Sequence, residues 1–498
     1  MNINMDMNSN LTMLVDFYEI TMGNGYFSNN MTDQIAIFDL FFRTIPDKGG
    51  FAIAAGLEQV IEYLQSLNFS DGDLEYLKSK HSFSDDFLDY LKNFKFECDV
   101  WSVPEGTPIF PNEPIMIVRG PIIQAQMIET MLLLTINHQS LIATKTSRIV
   151  RAANGRDVFE FGARRAHGYS ASLYGARASY IAGCSSTSCT LADISFGIPA
   201  SGTMAHSWVQ SFDSEYESFA KYAEVYPDNC VLLVDTYSVL NSGIPNAIKC
   251  FNEVVLPTGN RPKAIRIDSG DIAYLSKRSR KMLDDAGFED VKIVASNSLD
   301  EYIISDLLSQ DAKIDSFGVG ENLITAKSHP VFGGVYKMVA LEKDGVIDPK
   351  IKLSESADKI TTPDFKMLYR FYNNESGKAE ADFITLRDEK VNVDEGITIF
   401  DPTNTWKRKH LTNITAVPML KQIFDKGKLV YDSPNMEEIR EYCKNEMDKL
   451  WDEVKRFEFP HRYYVDLSIK LWNLKYDLLK QKSEKFAGTS ISNIDELS

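Results

Sequence analysis

Between residues 157 and 319 the chain repeats one pattern, a short β-branched run followed by a helical segment of about a dozen residues. The runs are D-V-F-E-F, V-L-L-V-D, A-I-R-I-D, V-K-I-V-A-S and I-D-S-F-G-V. Strands that alternate with helices pair in parallel, because each helical crossover returns the chain to run in the same direction. Such a sheet closes into a barrel or stays open, and periodicity permits either. In both cases the C-terminal ends of the strands share one face, and ligands bind there. Phe161 is followed by G-A-R-R, Val234 by D-T-Y, Ile267 by D-S-G-D, Ala295 by S-N-S and Phe317 by G-V-G-E. These polar and glycine-rich turns are expected to converge on one pocket.

The flanking segments read as mixed α and β. Residues 11–29 have apolar side chains at helical spacing, with an expected end at Gly23 and Gly25. Residues 35–43 and 114–121 read as strands, 56–67 as a helix, and 127–153 as a long helix broken by Asn154-Gly155. Trp208, Phe212, Tyr216, Phe219 and Ala223 fall on one stripe of a single helical segment. Beyond Lys337 the rhythm stops, and L-Y-R-F-Y and D-F-I-T-L read as antiparallel strands. Helices are expected over residues 436–457 and after P-H-R-Y-Y, then a loose polar tail.

Charge and cysteine usage narrow the partners. A net charge of -17 repels nucleic acid and acidic membranes, since phosphate-backbone binding needs a concentrated basic face. No apolar run approaches the ~20 residues that cross a bilayer. The opening M-N-I-N-M-D-M-N-S-N lacks a positive segment before an apolar core, so a cytoplasmic protein is expected. Six cysteines without a C-x-x-C pair favour reduced thiols over disulfides or structural zinc.

A small anionic substrate remains compatible with this acidity if arginines or a metal ion reverse the potential locally. Each candidate has an ordinary reading: D-S-G-D as turn and helix-cap chemistry, Arg164 and Arg165 as exposed charges, His206 as a core histidine. Together, guanidinium forks, bare glycine amides and paired carboxylates are the parts that hold phosphates and a divalent cation. A phosphorylated sugar is the substrate class they suit. In G-T-M-A-H-S-W, Gly202 and Thr203 offer amides and a hydroxyl before a helix start, where a neutral imidazole can accept a phosphoryl group.

In their order along the chain, these motifs resemble the nicotinate phosphoribosyltransferase family. They are D-F-Y-E-I-T-M, A-G-L-E (55–58), F-G-A-R-R-A (161–166), S-G-T-M-A-H-S-W (201–208), D-T-Y (235–237), I-R-I-D-S-G-D (265–271), G-V-G (318–320), G-G-V-Y-K (333–337) and K-L-S-E (352–355). The resemblance implies an α/β protein with an irregular, TIM-like α/β barrel over 141–342, a mixed α+β N-terminal domain over 1–140, and a C-terminal region over 343–498 that completes the N-terminal domain. It implies ATP-coupled conversion of nicotinate and 5-phosphoribosyl 1-diphosphate to nicotinate mononucleotide and diphosphate in NAD salvage, with Mg2+ as cofactor and ATP as co-substrate, by a homodimer. His206 would be the phosphorylated histidine, and Asp268 and Asp271 would hold magnesium. Arg164 and Arg165 would grip phosphate or carboxylate, and Ser269, Gly270, Gly318 and Gly320 would line the phosphate site. Tyr18 would stack on the pyridine, and Arg266 and Thr203, beside Gly202, would meet its carboxylate. G-C-S-S-T-S-C-T (183–190) has no carboxylate where the related nicotinamide enzyme uses an aspartate, which favours nicotinate. Glu321 departs from the family, which often has threonine after G-V-G. A nicotinamide enzyme and a non-catalytic phosphosugar-binding barrel are the alternatives.

Overall fold

The computed structural model describes residues 10–356 and 359–487. The first nine residues and the polar tail beyond 487 lie outside them. The chain forms two compact units, one of which comprises Leu141–Pro330 with Met436–Arg440.

That unit has a six-stranded, all-parallel sheet. Its strands are β1 (Asp157–Glu160), β2 (Ser186–Thr187), β3 (Val231–Leu233), β4 (Ala264–Ile267), β5 (Lys292–Ser296) and β6 (Ser316–Val319). The spatial order is β2-β1-β6-β5-β4-β3. Because β2 and β3 stay unpaired with each other, the sheet is a curled half-barrel. The strands are short, and all but β2 carry buried apolar residues. Leu232, Ile265, Ile267, Ile293, Phe317 and Val319 are fully buried. The helix Ile272–Asp285 shows the complementary pattern, burying Ile272, Ala273, Ser276, Ser279 and Leu283 on one stripe.

The other unit is built on antiparallel sheets. The larger has seven strands, with Ile35–Phe41 between Val335–Lys343 and Met116–Pro121 near its centre. A four-stranded sheet pairs Lys366–Asn373 with Ala379–Leu386 antiparallel, and Val465–Leu467 joins the latter in parallel.

Local differences from the sequence reading have physical causes. The first helix spans Phe17–Ser28 and runs through both glycines. Gly23 is there for close packing, since a Cβ at that position would stand 3.3 Å from Phe87 Cζ. The stripe beginning at Trp208 is divided between His206–Gln210 and Glu215–Val225, because the Ser214 hydroxyl accepts the Glu217 amide at 3.1 Å and starts a second helix. The helix beginning at Met436 stops at Lys449, and turn bonds from Val454 to Trp451 and Lys455 to Asp452 follow. Among the described residues no helix is long and apolar enough to cross a membrane.

Candidate active site

The C-terminal ends of β1, β3, β4 and β5 bring a connected polar cluster together. Asp268 follows β4 directly and is its hub. Its Oδ1 accepts from Arg266 Nη2 at 3.0 Å and from the Ser296 hydroxyl at the end of β5. Its Oδ2 lies 3.9 Å from His206 Nε2. His206 Nδ1 is 3.1 Å from the Thr236 hydroxyl. The imidazole is thus held at Nδ1 with Nε2 turned toward the Asp268 carboxylate, half exposed, at the first position of a helix. That helix is fixed from behind: Val209 is fully buried and Trp208 Nε1 donates to Ser218 O at 3.0 Å.

Arg266 points its guanidinium across the sheet. Its Nε donates to Ser296 Oγ at 2.9 Å, its Nη1 lies 3.3 Å from Thr203 Oγ1, and its carbon stands 5.6 Å from the Phe161 ring centroid. Phe161, Gly202, Thr203 and Arg266 line a cavity of about 770 Å³ that reaches Asn154, Lys263 and Lys292 at the opposite ends of the strands. An aromatic wall beside a guanidinium and a hydroxyl suits a flat ring bearing a carboxylate.

The turn after β1 presents the paired arginines. Glu160 is fully buried, and its carboxylate accepts from the Gly162 amide and from Thr187 Oγ1 at 2.6 Å. Burial pushes its pKa up despite these bonds. Arg164 and Arg165 then project from the short turn Ala163–Arg165, both exposed. Arg165 Nε lies 4.0 Å from Glu321 Oε2, whereas Arg164 faces no carboxylate among the described residues. Glu321 is chiefly paired with Lys327, at 2.7 Å, which lowers its pKa.

The remaining candidates take distinct places. Asp271 caps the helix Ile272–Asp285, its Oδ1 accepting from Tyr274 N at 2.9 Å. Gly270 adopts φ +81°, which a side chain tolerates poorly. Ser269 Oγ donates to Asp235 Oδ2 at 2.6 Å. Gly318 lies in β6, where a Cβ would come within 2.4 Å of the Phe161 ring, and Gly320 precedes the short helix Glu321–Ile324. Tyr18 belongs to the other unit, where Glu129 and burial raise its pKa. Gly202 is exposed at the mouth of the loop before His206.

Sequence reasoning passed over Asp235, Ser296, Thr236 and Phe161 as working residues. Their signal was positional, since each lies within three residues of a strand's C-terminal end. Asp235 Oδ2 also accepts the Asp268 amide at 3.1 Å, and its buried Oδ1 has no hydrogen-bond partner. Among the described residues no group of three or more His, Cys, Asp or Glu is arranged to cage a metal. Asp268 and the free oxygen of Asp235 fit a magnesium ion that takes most of its ligands from substrate phosphates and water.

Models of the nicotinate phosphoribosyltransferase N-terminal domain, family and C-terminal domain match residues 13–137, 157–374 and 365–475. The nicotinate phosphoribosyltransferase of Bacillus subtilis is 45% identical, over 93% of this chain and 94% of its own. The chain belongs to the nicotinate phosphoribosyltransferase family. The human nicotinate phosphoribosyltransferase is 30% identical over 95% of this chain and 97% of its own. A crystal structure of human nicotinic acid phosphoribosyltransferase superposes with a TM-score of 0.83, covering 93% of this chain and 99% of that one. A Pyrococcus furiosus nicotinate-nucleotide pyrophosphorylase shares the fold at a TM-score of 0.65 and 23% identity, covering 88% of this chain and 96% of that one. In this family setting the cluster around Asp268 is the candidate active site.

Proposed function

We propose that the chain transfers the 5-phosphoribosyl group of 5-phosphoribosyl 1-diphosphate to the ring nitrogen of nicotinate, releasing diphosphate, and couples this to ATP hydrolysis in NAD salvage. The observation that carries the reading is the chain of contacts Thr203–Arg266–Asp268–His206, which joins a carboxylate-binding pocket to a phosphoryl-accepting imidazole.

Nicotinate enters with its ring against Phe161 and its carboxylate at Arg266 and Thr203, with Gly202 leaving the mouth open. Tyr18 is the second aromatic wall in the assembled homodimer. The sugar C1 to diphosphate bond breaks ahead of nitrogen attack, so the site stabilises a cationic sugar and a departing polyanion. Arg164 and Arg165 bind the leaving phosphates, and the Ser269-Gly270 and Gly318–Gly320 turns hold the sugar phosphate. Asp268, with Asp235 bonded to its backbone amide and Asp271 three residues further on, would hold Mg2+, which when bound neutralises leaving-group charge. His206 attacks the γ-phosphorus of ATP, the bond to ADP breaks, and ADP leaves; the phosphohistidine adds charge beside the sugar-diphosphate site and changes its affinities. The half-barrel sheet is the strand-built part of the family's irregular barrel, and the protein acts in the cytoplasm.

The test is direct. Radiolabel from γ-labelled ATP is expected on His206, and His206→Ala abolishes labelling and ATP stimulation while some ATP-independent transfer persists. ATP stimulation equal to that of the unaltered enzyme would reject the assignment. Turnover of nicotinamide in preference to nicotinate would reject the substrate.

Gly318→Ala provides a separate check on the ring site. The new methyl displaces Phe161, so the KM for nicotinate is expected to rise about tenfold with a smaller change in kcat. An unchanged KM would remove Phe161 from the pocket.

A further inference from the structure

A second cavity, of about 450 Å³, lies within the unit of antiparallel sheets and shares no lining residue with the cavity beside Arg266. Its size falls within the range of small-molecule pockets. Phe110, Ile384 and Leu467 provide apolar wall, and the Phe110 and Tyr463 rings are stacked with centroids 3.8 Å apart. Lys475 and Arg462 supply its cationic lining, and His461 adds an imidazole.

Lys475 is the informative residue. It projects from the helix Ile469–Ala487, is partly buried, and donates to Thr362 Oγ1 at 3.3 Å. No carboxylate among the described residues pairs with it. Its neighbour Lys366 is satisfied, by Asp39 at 2.9 Å and by the carbonyls of Thr362 and Asp364. Burial, then the charge of Lys366, pushes the Lys475 amine down to about 8. A half-buried cation without a counterion is unfavourable, and an anion beside it removes the penalty. Arg462 is exposed, with Nη1 3.7 Å from Asp401 Oδ2. Asp401 Oδ1 accepts the amides of Thr403 and Asn404, each at 2.9 Å, and its Oδ2 stays outside hydrogen-bond distance of Arg462, whose donors remain open to an anion.

We propose that this cavity binds a small organic phosphate, with its phosphoryl group among Lys475, Arg462 and His461 and its organic part against Phe110 and Ile384. A phosphoryl group brings three acceptor oxygens and up to two charges, which matches this donor set better than a carboxylate. The transfer chemistry assigned to His206 and Asp268 makes no use of these residues, so the site is additional to it.

Pyridoxal 5′-phosphate is a suitable probe, applied to the full-length protein. The unprotonated Lys475 amine adds to its aldehyde carbon and water leaves to form an imine. Borohydride then delivers hydride to that carbon, solvent supplies the proton to nitrogen, and a stable secondary amine results. Peptide mapping reads Lys475 separately from any label near His206, so failure here is distinguishable from failure of the transferase reading. Labelling of Lys475 is expected to be about tenfold faster than with pyridoxal, which lacks the phosphate. Inorganic phosphate should slow it, and Arg462→Ala should erase the difference between the two aldehydes. Equal labelling by both aldehydes, no label at Lys475, or indifference to inorganic phosphate would each overturn the proposal.

Discussion

Asp268→Asn is expected to lower kcat by about 10³, the scale on which loss of a preorganised charged group acts in an active site. Three contacts make this residue more consequential than its neighbours. Its Oδ1 receives both Arg266 and Ser296, and its Oδ2 faces His206 at 3.9 Å. Asparagine keeps the size but replaces one oxygen with a donor. Turned one way, the amide sets donor against donor at Arg266; turned the other way, it takes the carboxylate oxygen away from the side facing His206 Nε2. Either orientation also removes the charge that the proposed magnesium ion would bind. The KM for nicotinate should rise less than kcat falls, because Arg266 keeps its bonds to Ser296 and Thr203. Initial rates over a magnesium titration separate these effects: the variant should need more metal and still remain slow at saturation. A kcat near that of the unaltered enzyme would remove Asp268 from the centre of the chemistry.

The same residue shows why part of the site was legible from sequence. A polar residue immediately after a buried parallel strand has few places to go except the strand-end face, and Asp268 follows β4 in just that way. Asp235 follows β3 by the same logic but stands in D-T-Y, a tripeptide too short to signal chemistry. Its role emerges only once β3 and β4 pair and its carboxylate reaches Asp268 N. Phe161 was hidden for a different reason. On a strand-end position it reads as core, and it becomes a pocket wall because Gly318 on the adjoining β6 leaves room for the ring. The strand-helix rhythm survived into the structure because the strands keep apolar residues that must be buried, such as Leu232, Ile265, Ile293 and Phe317. Helix ends were less legible, since Gly23 continues a helix where close packing against Phe87 outweighs its poor propensity. The break at Ser214 depended on one hydroxyl accepting one amide, which an apolar stripe does not record.

Arg370→Met is expected to destabilise the protein by about 3–5 kcal/mol, the penalty for leaving a buried charge without its partner. In sequence Arg370 sits in L-Y-R-F-Y, between Tyr369 and Phe371, where nothing marks its partner. Antiparallel pairing instead sets it opposite Asp382, and both side chains are almost wholly inaccessible. Arg370 Nε and Nη2 donate to the two Asp382 oxygens at 2.8 and 2.7 Å, and Nη2 also donates to Pro108 O at 2.7 Å. Tyr463 Oη donates to Asp382 Oδ1 at 3.1 Å. Burial and the charge of Asp382 push the Glu113 carboxyl well above the usual range, so it stays protonated beside that carboxylate. Removing Arg370 leaves the buried Asp382 carboxylate with the Tyr463 hydroxyl but without its paired cation. Urea unfolding should therefore show a lower midpoint for Arg370→Met, and the double change Arg370→Met with Asp382→Leu should recover much of the loss. Recovery distinguishes an uncompensated charge from a simple packing defect, for which the second substitution would add to the damage.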